Sequence, residues 1–288
     1  MKKFIRKTTG FAIVPVLYLV ANMLINYFIY SVQSVPIENA QILIIGDSHP
    51  QTSLNPELMK NAQNICQNAE PYVVTHWKLK KILESNTPET VILGFAPHNI
   101  SQFNDLKFSN SKWSNEMFRR TYPIQNFSEI DNKIDVDFVS FYKTLFKQTA
   151  YYPKKFHGDY IGKYSNNKTT KTSDWESSIK RHYFSNTIEL GVSEIAISYM
   201  DSIVALCRRK NIELVFVSQP VHENYLKNIP NPILSKYDFL VNEFRKKHLV
   251  IDKTRSIYAD SLFLNSDHLN EYGATKFTNE VVDILNNE

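Results

Sequence analysis

Four short apolar runs, each ending in polar or turn-forming residues, predict buried strands. They cover residues 41–45, 90–96, 212–218 and 248–252. A cap and a short helix are predicted over 53–59, and a shorter strand with a loop within 62–71. Apolar residues at helical spacing predict four helices, over 72–83, 193–210, 233–247 and 274–285. Strands that alternate with helices are typical of a largely parallel sheet between helical layers, so the predicted fold class is α/β.

The amino-terminal pattern differs from the rest of the chain. Residues 1–10 form a basic tail, and about 20 residues without charge follow, which is long enough to cross a bilayer. The basic flank predicts a cytoplasmic amino terminus, a transmembrane anchor over 11–31 and a linker over 32–40, with the domain from 41 to 288 outside the cytoplasm. A cleaved signal peptide is the alternative, although the segment ends Asn26-Tyr-Phe-Ile-Tyr30 without small residues at a cleavage site. Asn22 and Asn26 lie four residues apart on one face, where they are predicted to be tolerated polar residues of this anchor, with hydrogen bonding to a partner helix in the membrane as the alternative.

Residues from about 100 to 190 break the α/β rhythm. They are rich in asparagine, serine, lysine and aromatic residues, with a helix predicted over 139–146. We interpret the segment as an insertion beside the sheet. It either packs as an ordinary cap or serves as a lid that offers aromatic faces to a sugar-like ligand.

Composition excludes some functions. The net charge is only +4, so the chain has no strong electrostatic case for binding nucleic acid. Two cysteines give no disulfide framework, and the acidic and histidine residues show no metal-ligand spacing, so no metal or cofactor is predicted.

Ser48 is the first candidate for chemistry. It follows the first predicted strand in the sequence Gly46-Asp47-Ser48-His49, at the sheet edge where open α/β folds bind ligands. A hydroxyl presented there can act as a nucleophile. The alternative is a plain helix cap, because aspartate and serine are both good caps, and the two roles can coexist.

Two further polar positions lie near strand ends. His268 lies in a polar turn before the last helix, where it is the best candidate for a base that activates Ser48. Asn99 follows the strand over 90–96 and can supply an amide donor to an oxyanion, together with the backbone N–H of Ser48. His49, His98 and His222 are each predicted to be loop or rim residues.

These residues resemble the SGNH/GDSL hydrolase superfamily. The resemblance rests on Gly46-Asp47-Ser48, an asparagine after a strand, and His268-Leu-Asn before a terminal helix, and it covers about 40–99 and 192–288. It implies a three-layer, flavodoxin-like parallel sheet, with Ser48 as nucleophile and His268 as base. The oxyanion hole would include Ser48 N–H and Asn99.

The chain departs from this family at two places. The family usually has an acid three residues before the histidine, where this chain has Asn265. Asn265, Asp267 or Asp260 is therefore open as the group that orients the imidazole, and so is a simple Ser48–His268 dyad. The family often has an oxyanion-hole glycine between the first two strands, where this chain has Asn68-Ala69, so Asn68 is the candidate for that oxyanion donor.

The single anchor before such a domain further resembles envelope proteins of alginate O-acetylation and teichoic acid D-alanylation. The resemblance implies a serine-dependent acyltransferase or esterase that acts on acyl groups, acetyl first among them, of a cell-envelope or exported polysaccharide. A membrane-bound acyltransferase would be its partner. The competing hypothesis, favoured by Asn265, is a catalytically impaired scaffold or polysaccharide-binding partner of such an enzyme.

Overall fold

The computed structural model describes residues 1–34, 37, 40–125, 129 and 134–287. The chain divides into two compact units. Unit 1 comprises residues 1–36 and 108–159, and unit 2 comprises residues 37–107 and 160–288. The linker predicted over 32–40 lies partly outside the described residues.

The elements are numbered in chain order. The helices are α1 (Lys2–Val32), α2 (Ser48–Ser53), α3 (Tyr72–Ile82), α4 (Ser111–Thr121), α5 (Phe138–Thr149), α6 (Trp175–Tyr183), α7 (Glu194–Arg209), α8 (Glu223–Lys227), α9 (Asn231–Arg245) and α10 (Glu271–Asn286). The strands are β1 (Ile42–Ile45), β2 (Ala62–Asn64), β3 (Thr90–Gly94), β4 (Phe184–Ser185), β5 (Ile188–Glu189), β6 (Glu213–Ser218), β7 (Val250–Asp252), β8 (Phe263–Asn265) and β9 (His268–Leu269).

The α/β prediction is confirmed by a central sheet of five parallel strands with helices on both sides. Its strand order is β2-β1-β3-β6-β7. The chain moves from β1 outward to β2, then returns to the other side of β1 to form β3. The loops after β1 and β3 therefore separate at a topological switch point, which is where open α/β sheets form their ligand crevice.

Alternating residues of the strands form two separate cores, as the pleat requires. On one face, Ile44, Ile92 and Val215 pack with Phe277 and Val281 of α10. On the other face, Phe216 of β6 stacks on Phe244 of α9, with ring centroids 4.3 Å apart. Both faces of the central strands are buried, so their sequences are almost continuously apolar.

Two glycines allow α2 to approach the sheet closely. Gly46 has a φ of +133°, a conformation that L side chains rarely adopt, and a Cβ there would lie 2.9 Å from Cγ of Pro50. A Cβ on Gly94 would lie 2.4 Å from the same atom. Pro50 of α2 therefore occupies the space that side chains on β3 and the β1 turn would otherwise fill.

In unit 1, the long amino-terminal helix α1 is long and apolar enough to cross a membrane. Among the described residues of α1, only Asn22 and Asn26 are buried. The Asn22 side-chain amide donates to the carbonyls of Ala150 and Tyr151, and the Asn26 amide donates to those of Thr149 and Tyr152. The two asparagines thus bind the carboxyl end of α5, which the sequence pattern did not predict.

Element boundaries follow the sequence predictions within a few residues, except around Ser48. The sequence pattern predicted a cap and short helix from Ser53 to Met59. Instead, α2 begins at Ser48, and only a single 3₁₀ turn covers Pro56–Leu58. The insertion is also divided, since residues 108–159 belong to unit 1, whereas residues 160–190 belong to unit 2 with the sheet.

Candidate active site

Ser48 is the first residue of α2, directly after the turn that ends β1. Asp47 is the cap of this helix, because its carboxylate accepts a hydrogen bond from the backbone N–H of His49. The Ser48 hydroxyl therefore has no capping role. Ser48 is half-buried, while Asp47 and His49 on either side are buried. Its backbone N–H lies in the first turn, where N–H groups have no acceptor within the helix.

His268 reaches Ser48 from the opposite end of the sequence. It begins β9, which pairs with β8 in a short antiparallel hairpin before α10. Asn270 caps α10 by accepting from the N–H groups of Tyr272 and Gly273, which fixes the chain just after the histidine. His268 Nε2 lies 2.8 Å from Ser48 Oγ. The structure therefore brings these two predicted residues into hydrogen-bond contact.

The other ring nitrogen of His268 faces Asn265. The Nδ1 atom lies 3.0 Å from Asn265 Oδ1, an oxygen that also accepts from the backbone N–H groups of Asp267 and His268. An amide oxygen can only accept, so Nδ1 carries the hydrogen and Nε2 is left to accept from the serine hydroxyl. Asn265 thus selects the tautomer that a general base needs.

Asp267 supplies a negative charge beside the same ring. Its Oδ2 lies 3.4 Å from His268 Nδ1 and 3.3 Å from a guanidinium nitrogen of Arg181 on α6. The hydroxyl of Ser178, also on α6, donates to Oδ1 at 3.0 Å. Burial alone would raise the pKa of Asp267, but His268, His49 and His182 hold it well below its usual range. Asp267 is therefore a buried carboxylate that interacts both with side chains of α6 and with the His268 ring.

Asn99 is directed at Asp47. Its side-chain amide donates to Asp47 Oδ2 at 2.8 Å, and its oxygen accepts from the N–H of Ala96 at 2.8 Å. The Nε2 of His98 lies 2.5 Å from the same Asp47 oxygen. Although burial opposes it, His98 and the hydrogen bonds hold the pKa of Asp47 well below its usual range. The side-chain amide of Asn99 thus bonds a buried carboxylate in this structure. The oxyanion role of Asn99 stays a prediction.

His49 and His98 are buried in the site, which corrects their prediction as loop or rim residues. The His49 ring lies 4.2 Å from the ring of His98 and 4.7 Å from that of His268, measured between centroids. His98 stacks on His182 of α6 at 4.7 Å. Burial, followed by the neighbouring His98, lowers the pKa of His49 to about 4. Burial likewise lowers the pKa of His182 well below its usual value.

Asp260 and Asn68 are the remaining sequence candidates. Asp260 pairs with His222, whose Nε2 is 3.3 Å from Oδ1, and the Asp260 side chain is 76% exposed. Asp260 therefore belongs to another ion pair and does not orient His268. Asn68 is exposed in a turn. Ala69 next to it has a φ of +57°, a left-handed conformation that favours glycine, at the place where the resembled family often has one.

Three buried residues of the site have the chemistry of metal ligands, although the sequence spacing predicted none. Ligand-capable atoms of His49, Asp267 and His268 lie within 4.8 Å of one another. Both nitrogens of His268 already contact Ser48 and Asn265, and Arg181 lies on the Asp267 oxygen. A cation there would meet the guanidinium charge, so the arrangement suits proton transfer better than metal binding.

Sequence reasoning missed α6 and the histidine cluster. Arg181 and His182 lie in the aromatic-rich segment, more than 80 residues before Asp267 along the chain. The sequence carried one signal for the histidine cluster. His49 and His98 each follow the carboxyl end of a strand, and these two strand ends lie at the same edge of the sheet.

Comparisons with known proteins give distant structural matches. No protein-family model matches the chain, and no curated protein matches it by sequence. One similar solved structure is a proposed platelet activating factor from Streptococcus pneumonia, with 11% identity, 96% of this chain and 99% of that chain covered, and a TM-score of 0.45. Another is a proposed acylhydrolase from Bacteroides fragilis, with 11% identity, 90% and 92% coverage, and a TM-score of 0.41.

Proposed function

We propose that this chain is a membrane-anchored serine acyltransferase or esterase of the SGNH type. The observation that carries the proposal is the hydrogen bond between Ser48 Oγ and His268 Nε2, at 2.8 Å. A serine is a weak nucleophile unless a positioned base accepts its proton. The Asn265 oxygen on Nδ1 leaves Nε2 free to do so.

In the first half of the reaction, Ser48 Oγ attacks the carbonyl carbon of an acyl ester while its proton moves to His268 Nε2. The carbonyl oxygen becomes an oxyanion, which the backbone N–H of Ser48 is placed to stabilise. The imidazolium formed at His268 is stabilised by the nearby Asp267 carboxylate, 3.4 Å away. Collapse of the intermediate breaks the bond to the leaving alcohol, which takes the proton from His268.

The second half reverses the first with a new acceptor. The acyl group is now an ester of Ser48, and His268 is neutral again. A hydroxyl group gives its proton to His268 as its oxygen attacks the acyl carbon, and Ser48 leaves with that proton. If the acceptor is water, the chain is an esterase, and if it is a sugar hydroxyl, the chain is a transferase.

The proposal also includes a substrate class and a location in the cell. The substrate class is an acylated polysaccharide of the cell envelope or an exported polymer, and acetyl is the simplest acyl group. A membrane-bound acyltransferase would deliver the acyl group. Helix α1 is the proposed anchor, with the amino terminus in the cytoplasm and unit 2 outside it.

The test is covalent labelling of the full chain by a fluorophosphonate probe, together with hydrolysis of p-nitrophenyl acetate. We expect the wild-type chain to be labelled and active, and the Ser48→Ala variant to lose both properties. Ser202→Ala is the matched control, because the Ser202 hydroxyl donates to the Ser198 carbonyl within its own helix. It should keep both properties.

A second candidate function is a non-catalytic scaffold that binds polysaccharide. The observation that favours it is the neutral Asn265 on Nδ1 of His268, where the resembled family has an acid. A folded wild-type chain that takes no probe, and hydrolyses the ester no faster than Ser48→Ala does, would favour the scaffold and contradict the enzyme.

A further inference from the structure

Helix α5 of unit 1 has an exposed apolar face. Phe138, Val139, Tyr142 and Phe146 are exposed, Val139 to 79%. At about 100° per residue, these four side chains fall within one stripe about 100° wide. A contiguous stripe of large apolar side chains is uncommon on a surface that faces only water.

The buried face of α5 carries polar side chains, unlike its exposed apolar face. Thr144 and Gln148, which are polar, are buried there beside Phe141. Lys143 and Lys147 are exposed and border the apolar stripe on the other side. Aromatic and aliphatic residues on one face with lysines beside them are typical of a helix that lies in a membrane interface.

The carboxyl end of α5 is joined to the proposed anchor. Asn22 and Asn26 of α1 donate four hydrogen bonds to the carbonyls of residues 149–152, over 2.8 to 3.2 Å. The Asn26 side-chain oxygen in turn accepts from the N–H of Lys154 at 2.7 Å. The last carbonyls of a helix have no partner within the helix, and in hydrocarbon such groups and asparagine amides are both costly unless paired.

These bonds also fix a depth. At about 1.5 Å per residue, Asn26 lies about 6 Å and Asn22 about 12 Å along α1 before Tyr30, which is near the carboxyl end of the anchor predicted over 11–31. The hydroxyl of Tyr18 reaches the same segment, donating to the Tyr151 carbonyl at 3.1 Å. The end of α5 is therefore level with the apolar part of α1, and Tyr151 and Tyr152 beside it are exposed aromatics.

We infer that α5 is a second membrane contact, which lies with its Phe138–Val139–Tyr142–Phe146 stripe in the outer leaflet and is held there by Asn22 and Asn26. The occupant of this surface is the lipid bilayer itself. The inference rests on the proposed anchoring by α1 and is independent of the chemistry at Ser48.

The unmodified full chain provides the first test. It is reconstituted in phosphatidylcholine–phosphatidylglycerol vesicles that contain a phosphatidylcholine with a photoreactive diazirine on its acyl chain. After illumination, peptides from α1 and from residues 138–152 should both carry lipid adducts. Adducts on α1 without adducts on 138–152 would overturn the inference and leave the anchor intact.

Spin labels on single added cysteines give the second test. Cys66 and Cys207 are buried, and the wild-type chain serves to check that they take no label. We expect Val139→Cys and Tyr142→Cys to show a several-fold higher ratio of oxygen to nickel-chelate collisions than Ile257→Cys, whose parent side chain in unit 2 is 97% exposed. Equal ratios would contradict the inference.

Val20→Cys, in the middle of α1, separates the two proposals. A lipid-like ratio at position 20 with a water-like ratio at 139 and 142 refutes only the membrane contact of α5. A water-like ratio at position 20 refutes the anchoring and, with it, the inference. Fluorophosphonate labelling of Ser48 in the same vesicles reports on the proposed chemistry separately.

Discussion

In the proposed mechanism, two side chains around His268 divide the roles that one aspartate has in a serine–histidine–aspartate triad. Asn265 accepts from Nδ1 and so fixes the tautomer, whereas Asp267 lies 3.4 Å away and contributes charge. In a triad, the carboxylate both orients the imidazole and stabilises the imidazolium. Orientation and charge are separable at this site, so substitutions can test them one at a time.

Removing the acceptor at position 265 should lower turnover. We expect Asn265→Leu to reduce kcat for p-nitrophenyl acetate roughly 100-fold, because His268 loses the partner that selects its tautomer. Asn265→Asp keeps an acceptor at the same place and should retain wild-type turnover or exceed it. Steady-state kinetics with both variants checks this, and equal activity of Asn265→Leu and wild type would contradict the role of Asn265.

The contact between Ser48 and His268 was predictable because both positions carry a local sequence signal. Ser48 was predictable because a buried strand leads into Gly46-Asp47, and His268 because a polar turn precedes a capped helix. Arg181 and His182 gave no signal, since only the folded chain brings α6 against Asp267. Asn99 was predicted for its position at a strand end, but the carboxylate that its amide contacts, Asp47, lies 52 residues away.

The buried histidines should make the fold sensitive to acid. The pKa of His49 falls to about 4 from its ordinary 6.5, because burial and the neighbouring His98 and His268 disfavour its protonation more than Asp267 and Asp47 favour it. Below pH 6.5, His49 binds a proton in the unfolded chain but stays neutral in the folded chain. The contribution of neutral His49 to the free energy of unfolding is therefore fully present above pH 6.5 and is lost as the pH falls toward 4. The loss is on the order of 3 kcal/mol for this residue.

Thermal unfolding of the full chain in detergent between pH 7 and pH 4 measures this effect. His49→Gln should lose less stability over the same range than wild type does, because it has no imidazole to protonate. His248→Gln is the comparison variant. The pKa of His248 is also lowered, but its side chain is only half-buried and lies outside the histidine cluster, so this substitution should flatten the profile less than His49→Gln does. A His49→Gln profile parallel to wild type would contradict the assignment.

At the scale of elements, α2 holds Ser48 in place because the sheet leaves room for Pro50. Gly94→Ala would place a Cβ 2.4 Å from Pro50 Cγ, closer than any real contact. We expect roughly 1–3 kcal/mol lower stability from this overpacking, and weaker fluorophosphonate labelling as α2 shifts away from His268.

Gly191→Ala is the matched control, because the nearest atom to its added Cβ, Gln102 Oε1, would lie at 3.4 Å. Its melting temperature and labelling should remain close to wild type. If Gly94→Ala matched Gly191→Ala in both measurements, close packing of Pro50 would not position the serine.

Elements with strong periodicity were predicted well, and short elements were not. The five-stranded sheet and helices α3, α7, α9 and α10 agree with the apolar patterns, because each buries a continuous face against its neighbours. Helix α2 has only six residues, and its position is set by the contact of Pro50 with β3 and with the turn after β1. No pattern within those six residues records that contact.

At the scale of the whole molecule, the predicted topology gives a simple expectation. If α1 is an uncleaved anchor, the full chain stays in the membrane pellet after alkaline carbonate extraction. Protease added to spheroplasts should then digest unit 2 and spare a tag fused to Met1. Recovery of a soluble chain that lacks residues 1–30 would instead indicate a cleaved signal peptide.

What the sequence does not contain is the pairing of distant segments. Asn22 and Asn26 looked like tolerated polar residues, because their partners at 149–152 lie more than 120 residues away. A window of 20 residues is enough to predict the apolar length of α1. The contact of α1 with α5 could be seen only in the folded unit.

Arg181 has a consequence for how the proposed enzyme is tuned. Its guanidinium lies 3.3 Å from the same Asp267 oxygen that lies 3.4 Å from His268 Nδ1. Arg181 would therefore compete for this carboxylate with the imidazolium that forms at His268 in the proposed reaction. The Arg181 side chain is 39% exposed, whereas that of Asp267 is fully buried. An anionic group on a substrate or partner that drew Arg181 outward would leave more of the carboxylate to His268. Arg181 would then adjust how strongly Asp267 stabilises the imidazolium of His268, in response to what binds at the protein surface.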